Sequence, residues 1–152
     1  MRHSSVLLVL WLSLLVSRPA AAAMICSISL SPFSFGNYIP GDATPLDVTG
    51  QIGVRCTGSP GTFVAKISPG GSGSFAQRRM LSGPFLLNYN FYLNPSHTAV
   101  WGDGTGGSQT TSGVKPRAGQ QNFTLPIYGR VFPGQSVGAG TYSDNVLVTI
   151  VF

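Results

Sequence analysis

Few residues in this chain could do acid–base chemistry. Beyond residue 23 there is one histidine, His97, and four acids, Asp42, Asp47, Asp103 and Asp144, with no glutamate. A general base has to lie within hydrogen-bond reach of the proton it takes. His97 follows Asn94-Pro-Ser96, a turn-forming stretch, and reads as an exposed bystander. Asp42 and Asp47 flank Pro45 and fit turn geometry. Asp103 and Asp144 are far apart, and nothing in the sequence pairs them. Gly102-Asp103-Gly104 looks like a fragment of a calcium loop but lacks the further acidic ligands. No nucleophile elbow, HExxH pair or phosphate loop occurs. Asn122-Phe-Thr124 has the form of a glycosylation sequon, which matters only in a eukaryotic secretory pathway. These residues argue against an enzyme, and they call for no metal and no cofactor.

What remains is thiol chemistry, and it depends on compartment. A basic Met1-Arg-His, an apolar run from Val6 to Val16 and small residues up to Ala23 form a secretory signal peptide over 1–23, cut after Ala22 or Ala23. The run is too short to span a membrane, and no second one follows, so the expected domain, 24–152, has no transmembrane segment. In an exported chain the pair Cys26 and Cys56 reads as a disulfide. Both fall on apolar faces of alternating stretches, Met24-Cys26-Ile28-Leu30 and Leu46-Val48-Ile52-Val54-Cys56. Closing a loop of about 30 residues stabilises by roughly 3.5 kcal/mol in the chain-entropy view. The formal charge is +5; without Arg2 and Arg18 it becomes 5 − 2 = +3. The remaining cations are scattered from Arg55 to Arg130, whereas a nucleic-acid footprint is clustered, so no nucleic acid is expected as a partner.

The elements around these residues are β-strands. With 20 Gly, 11 Pro and only 9% charged residues, short β-prone runs separated by turns point to an all-β sandwich. Six main strands follow from period-two alternation. They run through Cys26, through Leu46–Cys56, over Phe63-Ala65-Ile67, over Phe85–Leu93, over Phe123–Val131 and over Val146–Phe152. Ser68–Ser74 reads as a flexible loop, and the stretch from Trp101 to about Gln120 as a long irregular one. Pro126, outward on its strand, suggests an edge or a bulge. Six is one short of the seven strands of an immunoglobulin-like sandwich. The last strand turns Val146, Val148, Ile150 and Phe152 to one side, with no later strand to cover them.

A set of short words, in order, spans this region: Phe35-Gly36-Asn37-Tyr38, Gly50–Cys56, Arg79-Met80, Leu87-Asn-Tyr89-Asn-Phe-Tyr92-Leu93, Trp101-Gly102-Asp-Gly104, Ile127-Tyr128-Gly129-Arg130 and Gly140-Thr-Tyr142-Ser-Asp144. Together they resemble the spore coat protein U domain family, which includes archaic chaperone–usher pilus subunits. The resemblance implies an incomplete immunoglobulin-like β-sandwich whose final strand is donated in trans. A periplasmic chaperone would supply it first and a neighbouring pilus subunit later, with an outer-membrane usher between. The groove would be lined by Val146, Val148, Ile150 and Phe152. It also implies a protein secreted through the periplasm to a cell-surface fimbrium. Phe35, Gly36, Tyr38, Arg79, Tyr89, Tyr92, Trp101, Gly102, Tyr128, Gly129 and Tyr142 are read as fold-defining. Among them Arg79 is expected to pair with backbone carbonyls or an Asp, Trp101 to anchor core or loop, and the glycines to allow bulges or close packing.

Three readings stand at this point. One is a structural or adhesive pilus subunit, at the distal tip because almost nothing precedes Cys26 that could be donated onward. Another is a secreted spore-coat or extracellular-matrix protein. The third is a surface- or carbohydrate-binding module working through the loops at Ser68–Ser74 and Trp101–Gln120.

Overall fold

The computed structural model describes residues 22–152; the signal peptide expected over 1–23 lies outside them except for Ala22 and Ala23. Eight strands form: β1 (Ile25–Leu30), β2 (Leu46–Thr57), β3 (Gly61–Ile67), β4 (Arg78–Ser82), β5 (Phe85–Tyr92), β6 (Thr111–Lys115), β7 (Gln121–Val131) and β8 (Val148–Val151). They make a five-stranded sheet, β1-β2-β7-β5-β4, and a three-stranded sheet, β6-β3-β8. All ladders are antiparallel. The fold is all-β, as the alternation predicts.

The long β2–β7 ladder is the spine. Ile52, Val54, Leu125, Ile127 and Val131 turn inward and are 8% exposed or less, each stabilising by about 1.5–3 kcal/mol when fully covered. Cys26 and Cys56 sit opposite each other in the β1–β2 register and form the disulfide. From the second sheet Phe63, Ala65 and Ile67 close the core with exposures of 1% or less. Gly50 and Gly129 interrupt the apolar faces of β2 and β7 for a steric reason. A Cβ on either would lie 2.8 Å from the ring of Phe33, closer than carbon atoms pack.

Two strands lie beyond the expected six: β6 falls in the stretch that read as a long irregular loop, and β4 in one that carried no expected element. The inward positions of β6 carry Gly113, which lies under the Phe63 ring, and Lys115, which is 1% exposed. Those of β4 carry Arg78, fully buried, and Met80. Neither strand shows a clean apolar face. The Ser68–Ser74 stretch contains a short 3-10 turn, Gly70–Ser72. Pro126 lies in an inner strand opposite Gln51, not in an edge strand. The β5 ladder reaches only Tyr128, so among the described residues the flank of Pro126 away from β2 has no neighbouring strand. The expected final strand, Val146–Phe152, is regular only over Val148–Val151.

Candidate functional site: a strand edge over an open core

The last strand is anchored on one side and bare on the other. Ser68 N donates to Leu147 O at 2.9 Å, and Leu147 N donates to Ser68 Oγ at 2.9 Å. The register continues with Lys66 opposite Thr149 and Val64 opposite Val151. Antiparallel backbones alternate the direction of their polar groups. Leu147, Thr149 and Val151 therefore address β3, while Val146, Val148, Ile150 and Phe152 point theirs away. Ile67, opposite Val148, confirms the alternation by sending its N–H to Gly102 O and not to β8. Among the described residues no strand pairs with this outer edge of β8.

Beneath that edge the core is open. A cavity of about 480 Å³ is lined by Leu30, Phe33, Phe35, Ile52, Ile67, Met80, Tyr89, Phe91, Ile127, Tyr142, Asp144, Val146 and Val148. Several of these are core residues, so the space between the sheets is uncovered. Val146, Val148 and Ile150 are half-buried against the core, whereas Phe152 is 54% exposed and Leu30, at the end of β1, is 56% exposed. β1, an edge strand of the five-stranded sheet, lies next to β8 across the opening.

The segment after β1 borders the opening. Residues 31–38 make no backbone–backbone hydrogen bond among the described residues. Side chains hold them in place. Phe33 meets Phe91 edge-on at 5.0 Å, and Phe35 meets Tyr89 at 5.5 Å, contacts worth about 0.5–1.5 kcal/mol each beyond the area they cover. Gly36 takes φ +79°, a left-handed geometry open to glycine. Tyr38 Oη accepts the Gln135 N–H at 2.8 Å.

A polar network fixes the start of β8. Asp144 accepts hydrogen bonds from Tyr89 Oη at 2.7 Å, Gly71 N at 2.9 Å and Asn145 N at 2.8 Å. Arg78 donates to Ser68 O, Asn90 Oδ1 and Trp101 O, and lies near the rings of Phe75 and Phe91. Burial pulls its pKa down to about 10, which leaves it charged at neutral pH. Burial, reinforced by the Asp144 carboxylate, pushes the Tyr89 phenol far above its ordinary range. Arg78, which the sequence reading missed, thus takes the carbonyl-binding role expected of Arg79; Arg79 is exposed. Counting inward positions back from Met80 would have found it.

The remaining motif residues serve the scaffold. Trp101 is fully buried and donates its indole N–H to Ala65 O at 3.2 Å. Gly102 lies against Ser108 and Phe75, where a Cβ would not fit. Gly129 accommodates Phe33 and Phe35. Tyr142 Oη donates to Gly138 O at 2.6 Å. Tyr92 and Tyr128 flank His97 edge-on. His97 is not the exposed bystander expected: its side chain is 8% exposed, with Nε2 3.7 Å from Asp47 Oδ1. Burial holds its pKa below the usual histidine value, with Asp47 opposing. Asp47 is itself paired through both oxygens with Arg130 at 2.6 Å, and that bond holds its carboxyl below the ordinary range. Among the described residues no three His, Cys, Asp or Glu side chains gather as a metal would require.

Comparison with known proteins agrees with this architecture. Protein U of Myxococcus xanthus is 32% identical over 134 residues, which cover 78% of this chain and 70% of that protein. The fold matches a chain in the crystal structure of the CsuC–CsuE chaperone–tip adhesion subunit pre-assembly complex from archaic chaperone-usher Csu pili of Acinetobacter baumannii. The TM-score is 0.59 and the identity 24%, over 86% of this chain and 40% of that one. This chain therefore spans less than half the length of that structural neighbour. The profile of the Spore Coat Protein U domain matches residues 11–149, and the chain belongs to that family.

Proposed function

We propose that this protein is a strand-accepting structural subunit of an exported fibre, assembled in the chaperone–usher manner. The observation that carries this is β8, whose outer backbone edge is unpaired above an open apolar cavity. A bare, apolar edge is an invitation to another chain. The partner that satisfies it is an extended segment with apolar residues at alternate positions, contributing backbone hydrogen bonds along β8 and side chains to the cavity. A periplasmic chaperone supplies that strand first and a neighbouring subunit afterwards, with an outer-membrane usher handling the exchange. The route runs through the periplasm to the cell surface. Kinship with Protein U supports membership in this class, and the fold of the chaperone–tip adhesion subunit complex supports the mode of assembly.

The finer reading places the subunit at a fibre tip. β1 pairs with β2 along its whole length and is tied to it by the disulfide, so β1 itself is not available for donation. Acceptance alone suffices at a tip.

The test is capture of a strand. Co-expression with a cognate chaperone should give a soluble one-to-one complex, and the Val148→Asp, Ile150→Asp double variant should lose it. Ile150→Pro is the gentler probe, since it removes an N–H from the free edge and none from the β3 ladder. Circular dichroism checks that each variant folds. A wild-type domain that is stable alone and captures no strand would refute the acceptor reading and favour a coat or matrix component. Long homopolymers formed by strand exchange would refute only the tip position.

A further inference from the structure

We propose that the acceptor groove continues beyond β8 into a blind slot that receives the far end of the same incoming strand and sets its register. This rests on the acceptor reading above. A second cavity, about 560 Å³, lies between residues 33–40 and residues 137–142. It shares Phe33, Phe35, Met80 and Tyr142 with the cavity under β8, so the two lie side by side.

Both walls of the slot are suited to a strand. Residues 31–38 on one side and 136–142 on the other make no backbone–backbone hydrogen bond among the described residues. Backbone N–H and C=O groups normally find partners, and a strand laid between these segments would supply them on both flanks. The lining supports that occupant: Val137, Leu87 and Val131 provide apolar surface, while Gly138 and Gly140 let their own segment sit close on Phe85 and Ser82. No Asp, Glu, Lys or Arg lines it.

The slot ends where the walls join. Gly41 N donates to Gln135 O at 3.1 Å, and Gln135 N donates to Tyr38 Oη at 2.8 Å. The Gln135 side chain is fixed in turn, accepting from Asn88 N and donating to Asn88 O and Phe132 O. A strand sliding along β8 toward Tyr142 meets this clasp and stops. The β3–β8 ladder covers only four residues of β8. An outer edge so short fixes the register of an incoming strand weakly, since a two-residue slip keeps every side chain on its own face. A blind end removes that freedom.

The experiment uses two synthetic peptides alternating valine and threonine with lysines at their ends, one of about twelve residues and one of about six, as the rise of a strand requires to span both cavities or one. Binding to the oxidised domain is measured by fluorescence anisotropy. The expected result is that the long peptide binds at least about tenfold more tightly. Ala139→Trp, which fills the slot from an exposed position, should bring the long peptide down to the short one and leave the short one unchanged. A photo-cross-linker at the end of the long peptide should mark Tyr38 or Gln135. If both peptides bind equally and Ala139→Trp changes neither, the slot is refuted and the acceptor edge stands. If neither peptide binds, both fall together.

Discussion

The three-stranded sheet has two outer edges, and they are built in opposite ways. On one side β6 is short, is followed at once by Pro116, and turns Lys115 inward beneath itself. The ammonium donates to Gly58 O at 2.7 Å, Ser59 O at 3.0 Å and Arg117 O at 2.5 Å. An inward charge and an adjacent proline are common protections against edge-to-edge pairing. On the other side β8 carries valine and isoleucine over a cavity, with no charged residue among Val146–Phe152. One sheet therefore has one edge protected against pairing and one left bare. Directed assembly needs that asymmetry, since two open edges would give aggregation without order.

The contrast can be broken at the anchor of β8, where the largest effect is expected. Arg78→Met removes the donors to Ser68 O, Asn90 Oδ1 and Trp101 O and leaves the Ser68 and Trp101 carbonyls without them, while Asn90 Oδ1 keeps the Phe91 N–H. Each carbonyl stripped of its donor destabilises by about 1–3 kcal/mol, and the lost packing of the long side chain adds to it. Arg79→Met, one residue along on the exposed side, should stay within about 0.5 kcal/mol. Urea denaturation of the two variants side by side checks this; equal losses would show that the clasp on Ser68 does not hold β8.

A smaller effect is expected at the protected edge. Lys115→Met leaves Ser59 O and Arg117 O without their donor, while Gly58 O keeps the Gly119 N–H, and this destabilises by about 1–3 kcal/mol. It also strips the charge from β6, so self-association should rise with concentration in analytical ultracentrifugation. A variant that loses stability and remains monomeric would show that Lys115 only clamps the Gly58–Ser59 turn.

The smallest effect sharpens the comparison by isolating the five-stranded sheet. His97 is held neutral by burial, so its folded pKa lies below the unfolded value of about 6.5. The unfolded chain then binds the extra proton first, and stability declines as pH falls from about 6.5 toward the lower folded pKa. Asp47, with its folded pKa lowered by Arg130, adds a separate loss as pH drops below about 4. His97→Phe should flatten the first decline in thermal melts between pH 7 and 5 and leave the second. An unchanged profile would mean that some other group sets it.

Much of this fold was legible because apolar side chains alternate wherever both faces of a ladder are conventional, as in β2, β3, β7 and β8. The face formed by Val146, Val148 and Ile150 was legible for the same reason, as one side of a period-two run. β4 and β6 were hidden because Arg78, Gly113 and Lys115 hold inward positions usually given to apolar residues. Their burial is made tolerable by hydrogen bonds to carbonyls that only the folded chain brings together. His97 was misjudged for a related reason: a turn residue, with φ +54°, is swung onto tyrosines distant in sequence. The slot between residues 33–40 and 137–142 left no trace, because two irregular segments carry no period that would announce their proximity.

The placement of basic residues has one more consequence. Among the described residues, Arg55, Lys66, Arg78, Arg79, Lys115 and Arg130 all lie within strands, and Arg117 alone lies in irregular chain, between β6 and β7. Proteases that cut after lysine and arginine need an accessible, locally unfolded stretch. The folded domain shows them a single such place, at Arg117–Ala118. Outside a cell, the scarcity of charge that makes the sandwich so apolar doubles as resistance to digestion.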